Sequence, residues 1–323
     1  MAPINFKSVA IIGAGPAGII SIDALAQEQA FDHIRVFERR EAAGGCWIED
    51  PEDHVQQLPD LKKIAERRPD DALPIPQEVL SGKATTTPKN TQTPLYSVVR
   101  GRYHPYFFDF AFQHPNIVRR PSISRVESNP ATNERTIFFE DGTKLEDVDY
   151  IIFGTGYTWT LPFLPDIDAT IRNNRLPNLY QHVFWREDPS LVFVGAVAAG
   201  FTFKVFEWQA VLAARFLAGR ITLPPVSEQV KWEEDRIAYK GDGVPFTALY
   251  PDFEEYFEVV RKMAGEPQDG KGRPLPKFEK WWRDNFDNAH LKRIAMWKRG
   301  NEEAREKKRR ESGKPDGAPQ SSL

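Results

Sequence analysis

The chain has 323 residues, of which 41% are hydrophobic, and its formal net charge is −3. This composition is ordinary for a globular protein, and the small negative charge gives no sign of a nucleic-acid partner. The one cysteine, Cys46, excludes an internal disulfide and a zinc site built from cysteines. Because no run of about eighteen apolar residues and no signal-like start occurs, we expect a cytoplasmic protein without a membrane span.

The first predicted element is a complete βαβ unit over residues 8–38. An apolar strand at residues 9–12 leads into a glycine-rich loop, a helical stretch follows, and a second strand at residues 34–37 ends on Glu38. The loop has three spaced glycines, Gly13, Gly15 and Gly18. In such units the glycines permit a tight turn, close approach of the backbone to a pyrophosphate, and close packing of helix on strand, while the acid accepts hydrogen bonds from a ribose. The unit therefore predicts a bound dinucleotide.

The middle of the chain alternates between polar and strand-like segments. Residues 51–98 are polar with repeated prolines, which favours an irregular excursion over the surface. The Asp-Gly pair within residues 140–143 predicts a β-hairpin turn. Apolar runs at residues 150–153 and 191–194 each precede a glycine, which predicts buried parallel strands of one sheet.

The last third is predicted to be helical. An almost wholly apolar run at residues 205–218 predicts a buried helix that ends at Gly219. Ser227 is predicted to cap the next helix in a helical region over residues 226–299. Residues 300–323 are charged and then rich in Gly, Pro and Ser, which predicts a disordered tail. Apolar side chains at helical spacing predict core or subunit packing: Phe278, Trp282, Phe286, Ile294 and Trp297.

Four ordered segments resemble the flavin-containing monooxygenase family. They are the glycine-rich unit, GGCW at residues 44–47, FGTGY at residues 153–157, and residues 191–220 with a Glu-x-Gln helix. The resemblance implies an α/β fold: a Rossmann-like FAD-binding domain over residues 1–225, three-layered and mostly parallel, with β-hairpin elements and a helical C-terminal extension.

The resemblance also implies which residues hold FAD. In the family the glycine loop binds the pyrophosphate, the acid binds the adenosine ribose, the GG-x-W element lies along the cofactor, and the late turn lies beside it. Arg39 could meet the adenosine or only solvent. No catalytic base and no metal ligand is predicted, because the flavin carries the chemistry. The predicted cofactor-binding residues are Gly13, Gly15, Pro16, Ala17, Gly18, Glu38, Arg39, Gly45, Trp47, Thr155 and Gly156.

A second nucleotide-binding domain, for NADPH, is implied by the family but has no fingerprint here. The later glycine pairs, at residues 154–156, 195–200, 241–243 and 270–272, lack the spacing or the strand–turn–helix context. Segments resembling the flanks of that domain lie at residues 93–99 and 114–125, so the domain is predicted to be missing near residues 100–113.

The resemblance implies an FAD-dependent monooxygenase-like oxidoreductase that oxygenates a small organic substrate through a flavin hydroperoxide. Two alternatives stay open. The chain could be an FAD-binding protein without independent activity, as a remnant or a partner subunit, or a flavin oxidase that does not use NADPH. A homo-oligomer and a separate electron donor are both compatible with these hypotheses.

Overall fold

The computed structural model describes residues 6–47, 94–99, 107–129, 134–148, 151–154, 158–198 and 200–312. The described strands are β1 (Ser8–Ile12), β2 (His33–Phe37), β3 (Leu95–Val98), β4 (Ile117–Arg120), β5 (Ile123–Ser128), β6 (Arg135–Phe139), β7 (Lys144–Leu145), β8 (Leu179–Tyr180) and β9 (Phe184–Trp185). The described helices are α1 (Pro16–Glu28), α2 (Pro165–Asp168), α3 (Thr202–Leu217), α4 (Val226–Lys240), α5 (Val244–Thr247), α6 (Phe253–Ala264) and α7 (Lys280–Glu311).

The chain divides into two compact units that alternate along the sequence. Unit 1 comprises residues 1–82 and 157–278, and unit 2 comprises residues 83–156 and 279–323. The predicted boundary at residue 225 does not coincide with this division. The physical reason is that α3 packs against both α1 and α6, so helices on either side of residue 225 share one core.

In unit 1, the predicted strand–helix–strand order of the first element is observed. β1 and β2 pair in parallel, from Ser8 opposite His33 to Ile12 opposite Phe37. α1 connects them and has Pro16 at its start, where the missing N–H of proline costs nothing. Among the described residues these two strands form a sheet of their own, so the larger parallel sheet stays a prediction.

The predicted buried helix is confirmed as α3, whose side chains between Trp208 and Arg215 are all buried. Gly219 has φ +72° and its N–H donates to the carbonyl of Phe216 at 2.9 Å, as expected for a glycine just beyond a helix. A cluster of buried apolar side chains in the same unit completes its core: Leu161, Leu176, Leu179, Trp185 and Ala196.

The prediction that two apolar runs, at residues 150–153 and 191–194, form parallel strands of one sheet is wrong where the structure describes these residues. Residues 151–154 form no strand, and the side chain of Ile152 is 92% exposed. Val192 makes an isolated antiparallel bridge with Phe184, and the N–H of Phe193 donates to the carbonyl of Val183 at 2.8 Å. An apolar run shows only that a segment prefers burial, whereas its pairing depends on which edge lies nearby, here that of β9.

The start of α4 also differs from the prediction. The helix begins at Val226 with Pro225 at the N-cap position, and no side chain caps it, so Ser227 lies inside the first turn. Proline has a fixed φ that suits entry into a helix. With Pro225 at the N-cap, the helix therefore begins before Ser227.

Unit 2 contains short sheets and the long helix α7. β3 and β4 pair in parallel, and β5, β6 and β7 form an antiparallel sheet. The predicted Asp-Gly hairpin is confirmed: β6 and β7 pair around Gly142, which has φ +81°. β3 lies within the predicted excursion over residues 51–98, so that prediction is wrong at residues 95–98; residues 51–93 lie outside the described part.

The C-terminal stretch is more ordered than predicted. α7 continues to Glu311, so the tail predicted from residue 300 is helical over its first part, while residues 313–323 lie outside the described residues. Charged pairs at i,i+4 spacing, such as Arg299 with Glu303, suit a solvated helix. The side-chain amide of Asn301 donates to the carbonyl of Phe110 at 2.8 Å and fixes that part of the helix.

The predicted aromatic stripe belongs to α7 except at its first member. Phe278 precedes the helix and contacts the ring of Phe257 within unit 1. Trp297 packs edge-on against Phe107 within unit 2. No helix in the described ranges combines the length and apolarity that crossing a bilayer requires.

Candidate cofactor-binding site

The glycine-rich loop joins β1 to α1 by a main-chain approach that only glycine allows. A Cβ atom on Gly18 would lie 2.0 Å from the carbonyl oxygen of Gly13, well inside van der Waals contact. Gly13 has φ +95° and its N–H donates to the carbonyl of Phe37 at 2.8 Å, which fastens the turn to the end of β2. The first and third glycines therefore shape the loop itself.

A second segment, residues 44–47, crosses the loop at close range. The N–H of Gly44 donates to the carbonyl of Ala14 at 2.8 Å. A Cβ on Gly45, which has φ +60°, would lie 3.0 Å from the Cα of Gly15. A Cβ on Gly15 would instead lie at an ordinary 3.9 Å from Gly45, and Gly15 has φ −73°. The fold therefore does not require glycine at position 15, and the absence of a side chain leaves room beside the half-buried backbone.

The N-terminus of α1 opens at this loop. Gly15 is the N-cap residue, no side chain caps the helix, and its first turn carries no acidic residue. The N–H groups of the first turn of a helix have no partner within the helix, and the helix dipole makes that end positive. Such an end is suited to a phosphate, and Pro16, Ala17 and Gly18 supply its first turn.

Glu38 follows β2 and reaches back to the loop. Its carboxylate accepts hydrogen bonds from the main-chain N–H groups of Ala14, at 2.7 Å, and Arg40, at 2.9 Å. The N–H groups of Arg40 and Ala14 hold the pKa of this carboxyl below its ordinary value, so it is ionised at neutral pH. Each oxygen takes one of these bonds and keeps a lone pair for a ribose hydroxyl.

Arg40 is a contributor that the sequence does not single out. Its Nη1 donates to the carbonyl of Gly45 at 2.6 Å, so it ties the crossing segment to the end of β2. Arg39, the predicted residue, is exposed. No pattern distinguishes two adjacent arginines, because which one turns inward depends on the path of the backbone after β2.

Trp47 ends the crossing segment and contacts an aromatic residue from α3. The ring centroids of Trp47 and Phe203 lie 5.7 Å apart with a 49° angle between the planes. No sequence pattern links Phe203 to the glycine loop, because the two are far apart along the chain. α3 packs along α1, which brings its first turn to the same region.

Two of the predicted cofactor-binding residues, Thr155 and Gly156, lie outside the described residues. Glu207, the acid of the Glu-x-Gln helix, pairs with Arg273 at 2.6 Å. His182 is buried between Trp232 and Phe246, and burial and nearby cations lower its pKa well below the ordinary value. It is therefore neutral and serves as a packed core residue.

The later glycine turns have structural contacts of their own. Asp242, between Gly241 and Gly243, accepts hydrogen bonds from Asn173 and Arg175. The N–H of Gly272 donates to the carbonyl of Gln27 at 2.8 Å. Within the described residues neither turn follows a strand, so neither offers a second dinucleotide cradle.

The loop therefore fits the pyrophosphate of a dinucleotide, by its close glycine approach, its open backbone at Gly15 and its uncapped helix end. The predicted acid lies where its carboxylate also braces the loop. In the described residues no group of His, Cys, Asp and Glu is arranged to hold a metal ion.

Comparison with known proteins gives consistent matches. A family model described as flavin-binding monooxygenase-like matches residues 114–261. A trimethylamine monooxygenase from Methylocella silvestris is 35% identical over 158 residues, 46% of this chain and 34% of the relative. One from Roseovarius is 38% identical over 184 residues, 56% of this chain and 38% of the relative. The flavin-containing monooxygenase ustF2 from Aspergillus flavus is 32% identical over 134 residues, 38% of this chain and 27% of the relative.

The fold is also similar to that of a solved structure. The crystal structure of Tmm from Pelagibacter aligns over 87% of this chain and 90% of its own, with a TM-score of 0.55 and 16% identity. The chain spans only 27% to 38% of the length of the curated relatives compared above. The matched family model and these relatives show that part of this α/β chain is similar to flavin-containing monooxygenases.

Proposed function

We propose that this chain binds FAD at the β1–α1 loop and acts as an FAD-dependent monooxygenase-like oxidoreductase on a small organic substrate. The observation that carries the proposal is the close approach of Gly18 to Gly13, together with the backbone left open at Gly15. The similarity to flavin-binding monooxygenases supports FAD over a nicotinamide dinucleotide as the resident cofactor.

Each predicted residue has a distinct part in holding FAD. The first turn of α1 would face the pyrophosphate, and Glu38 would accept from the ribose while it braces the loop. Arg39 would meet the adenosine side or remain in solvent. When bound, FAD supplies the redox and oxygen-activating chemistry, and the chain binds and orients it. The complete proposed set is Gly13, Gly15, Pro16, Ala17, Gly18, Glu38, Arg39, Gly45, Trp47, Thr155 and Gly156.

The substrate class is proposed from the relatives. Two of them are named trimethylamine monooxygenases, so a small tertiary amine is the first probe. A soft nitrogen or sulfur atom is the acceptor that this chemistry favours. Thus trimethylamine and a simple thioether are the two probes that cover the proposed class.

A second candidate is an FAD-binding protein that NADPH does not reduce. The favouring observation is that the later glycine turns in the described residues are occupied by contacts such as Asp242 with Arg175. This candidate shares the FAD site with the first and differs only in the source of electrons. A flavin oxidase, reduced by its own substrate, is the remaining alternative.

The FAD site is tested first, with the variant Gly15→Ala. Because the structure tolerates a Cβ at position 15, this variant should fold with an unchanged unfolding midpoint but bind FAD at least about tenfold more weakly. Gly300→Ala, in α7 with open space around it, is the matched control and should bind FAD as the wild type does. FAD affinity equal in Gly15→Ala and wild type contradicts this site.

The electron source is tested by anaerobic titration of the FAD-loaded protein with NADPH. Bleaching of the flavin band, followed by formation of an N-oxide from trimethylamine after oxygen is admitted, supports the monooxygenase. Retained FAD without bleaching favours the FAD-binding protein. Bleaching by an organic substrate without NADPH favours the oxidase.

A further inference from the structure

Trp47 and Phe203 form an aromatic pair beside the glycine loop. Trp47 is 70% exposed and Phe203 is 50% exposed, although their ring centroids are only 5.7 Å apart. Both residues belong to unit 1: Trp47 is the last residue of the crossing segment, and Phe203 lies in the first turn of α3. The pair is therefore an exposed apolar surface next to a main-chain cradle.

The backbone beneath Trp47 is firmly held. The N–H of Trp47 donates to the carbonyl of Gly44 at 3.2 Å, and Arg40 holds the carbonyl of Gly45 at 2.6 Å. The indole ring itself extends into solvent, where a side chain normally exchanges among rotamers. Its ring contact with Phe203 restricts that exchange.

Phe203 is supported from the interior. Its ring lies 6.4 Å from that of Phe206 at a 79° angle, an edge-on contact. Phe206 fills the space over Gly195, where a Cβ would lie 2.7 Å from the Phe206 ring. The rest of α3 is mostly buried, from Val205 to Leu217, so Phe203 extends from a helix that is itself packed in the core. The contacts thus run from Gly195 through Phe206 and Phe203 to Trp47.

We propose that Phe203 is a positioning residue for Trp47, and that the pair forms the wall against which the planar isoalloxazine ring of FAD is held. This inference rests on the proposed function. An exposed aromatic surface beside a polar cradle suits a ligand that has a charged diphosphate and a flat aromatic ring. A tilted pair is worth about a threefold to tenfold change in affinity when one member is removed.

The test measures FAD affinity and the visible circular dichroism of the bound flavin in position-203 variants. Phe203→Ala and Phe203→Leu should weaken FAD binding about threefold to tenfold and reduce the dichroism, while Phe203→Tyr should restore both. Phe163→Ala is the matched control, because Phe163 is in unit 1 and 56% exposed. It should leave both measurements unchanged.

Two results overturn the inference. One is wild-type affinity and dichroism in Phe203→Ala, and the other is full restoration by leucine, which shows that bulk alone suffices. If Trp47→Ala loses FAD binding while the position-203 variants bind FAD as the wild type does, the inference is wrong and the proposed function is still supported. A wild-type protein that holds no FAD removes both. Unfolding midpoints equal to that of the wild type show that the variants are folded.

Discussion

The carboxylate of Glu38 accepts a hydrogen bond from the main-chain N–H of Ala14 at 2.7 Å, joining the end of β2 to the glycine loop. The N–H of Arg40 donates to the other oxygen of the same carboxylate. The acid expected to meet a ribose thus also orders the loop that would hold the pyrophosphate. The Glu38 side chain therefore couples the affinity for a dinucleotide to the stability of the glycine loop.

Replacement of Glu38 by glutamine should lower both the free energy of unfolding and the affinity for FAD. Glutamine is neutral and has one acceptor oxygen, so both main-chain N–H groups lose a charged acceptor and one of them loses its acceptor altogether, at a cost of about 1–2 kcal/mol. Since Arg40 and Ala14 hold the pKa of Glu38 below its ordinary value of 4.5, this contribution is present at neutral pH and is lost as the pH falls through the lowered pKa. Urea unfolding at several pH values measures it.

Glu41→Gln is the control, because Glu41 is exposed three residues further along the chain. It should stay within about 0.5 kcal/mol of wild type. If Glu38→Gln unfolds like Glu41→Gln at neutral pH, Glu38 does not brace the loop. A stability gap that stays constant down to low pH would show that the carboxylate charge is not its source.

Gly18→Ala should disrupt the loop directly. The new Cβ would lie 2.0 Å from the carbonyl oxygen of Gly13, so the backbone of loop or helix must shift. We expect a loss of about 3 kcal/mol in the free energy of unfolding, with weaker FAD binding. Gly300→Ala should instead gain up to about 1 kcal/mol, because alanine favours a helix interior. Equal stability of the two variants would contradict the observed approach of Gly18 to the carbonyl of Gly13.

The sequence predicted those features whose signals are local. The spacing of Gly13 and Gly18 indicates a turn that the intervening residues alone can form, and Gly219 indicates the end of α3 in the same way. The apolar run at residues 191–194 carries no information on its partner, because β9 supplies an edge that only the tertiary fold brings near.

Contacts between distant segments had no sequence signal at all. Phe203 meets Trp47 because α3 packs along α1, and Arg175 meets Glu233 across 58 positions of chain. Charged residues are usually solvent-exposed, so nothing in the sequence marks these two as buried. The candidate site was therefore predictable in its glycine loop and acid, and not in its aromatic pair.

Glu233→Gln should be strongly destabilising. Glu233 is buried, accepts from Arg175 Nη1 at 2.7 Å, and pairs with Arg186. Without the charge of Glu233, Arg175 and Arg186 lose a shared counterion, although Asp242 still pairs with Arg175. Removing one partner of a buried ion pair costs about 3–5 kcal/mol in the free energy of unfolding. Urea unfolding at neutral pH measures the difference, with exposed Glu234→Gln as the matched control.

The pH dependence of that loss has a definite sign. Burial raises the pKa of Glu233, but Arg175 and Arg186 lower it further, so the folded-state pKa lies below 4.5. The stability is therefore present above about pH 4.5 and is lost as the pH falls through the lowered pKa. Wild type and Glu233→Gln should converge in acid. A gap that widens in acid would contradict the ion pair as its source.

Tyr256→Phe should weaken the contact between α3 and α6. The Tyr256 hydroxyl donates to the carbonyl of Gln181 at 2.9 Å and accepts from Gln209 Nε2 at 2.7 Å, all in the interior. Its removal leaves two buried polar groups unpaired, a cost of about 1–3 kcal/mol in the free energy of unfolding.

Burial raises the pKa of Tyr256, so the folded protein keeps this proton while the unfolded chain loses it near pH 10. Wild-type stability should consequently fall more steeply than that of Tyr256→Phe as the pH rises past about 10. Tyr239→Phe, at an exposed tyrosine of α4, is the control for both measurements. Parallel pH profiles for wild type and Tyr256→Phe would show that the hydroxyl is not buried as the structure has it.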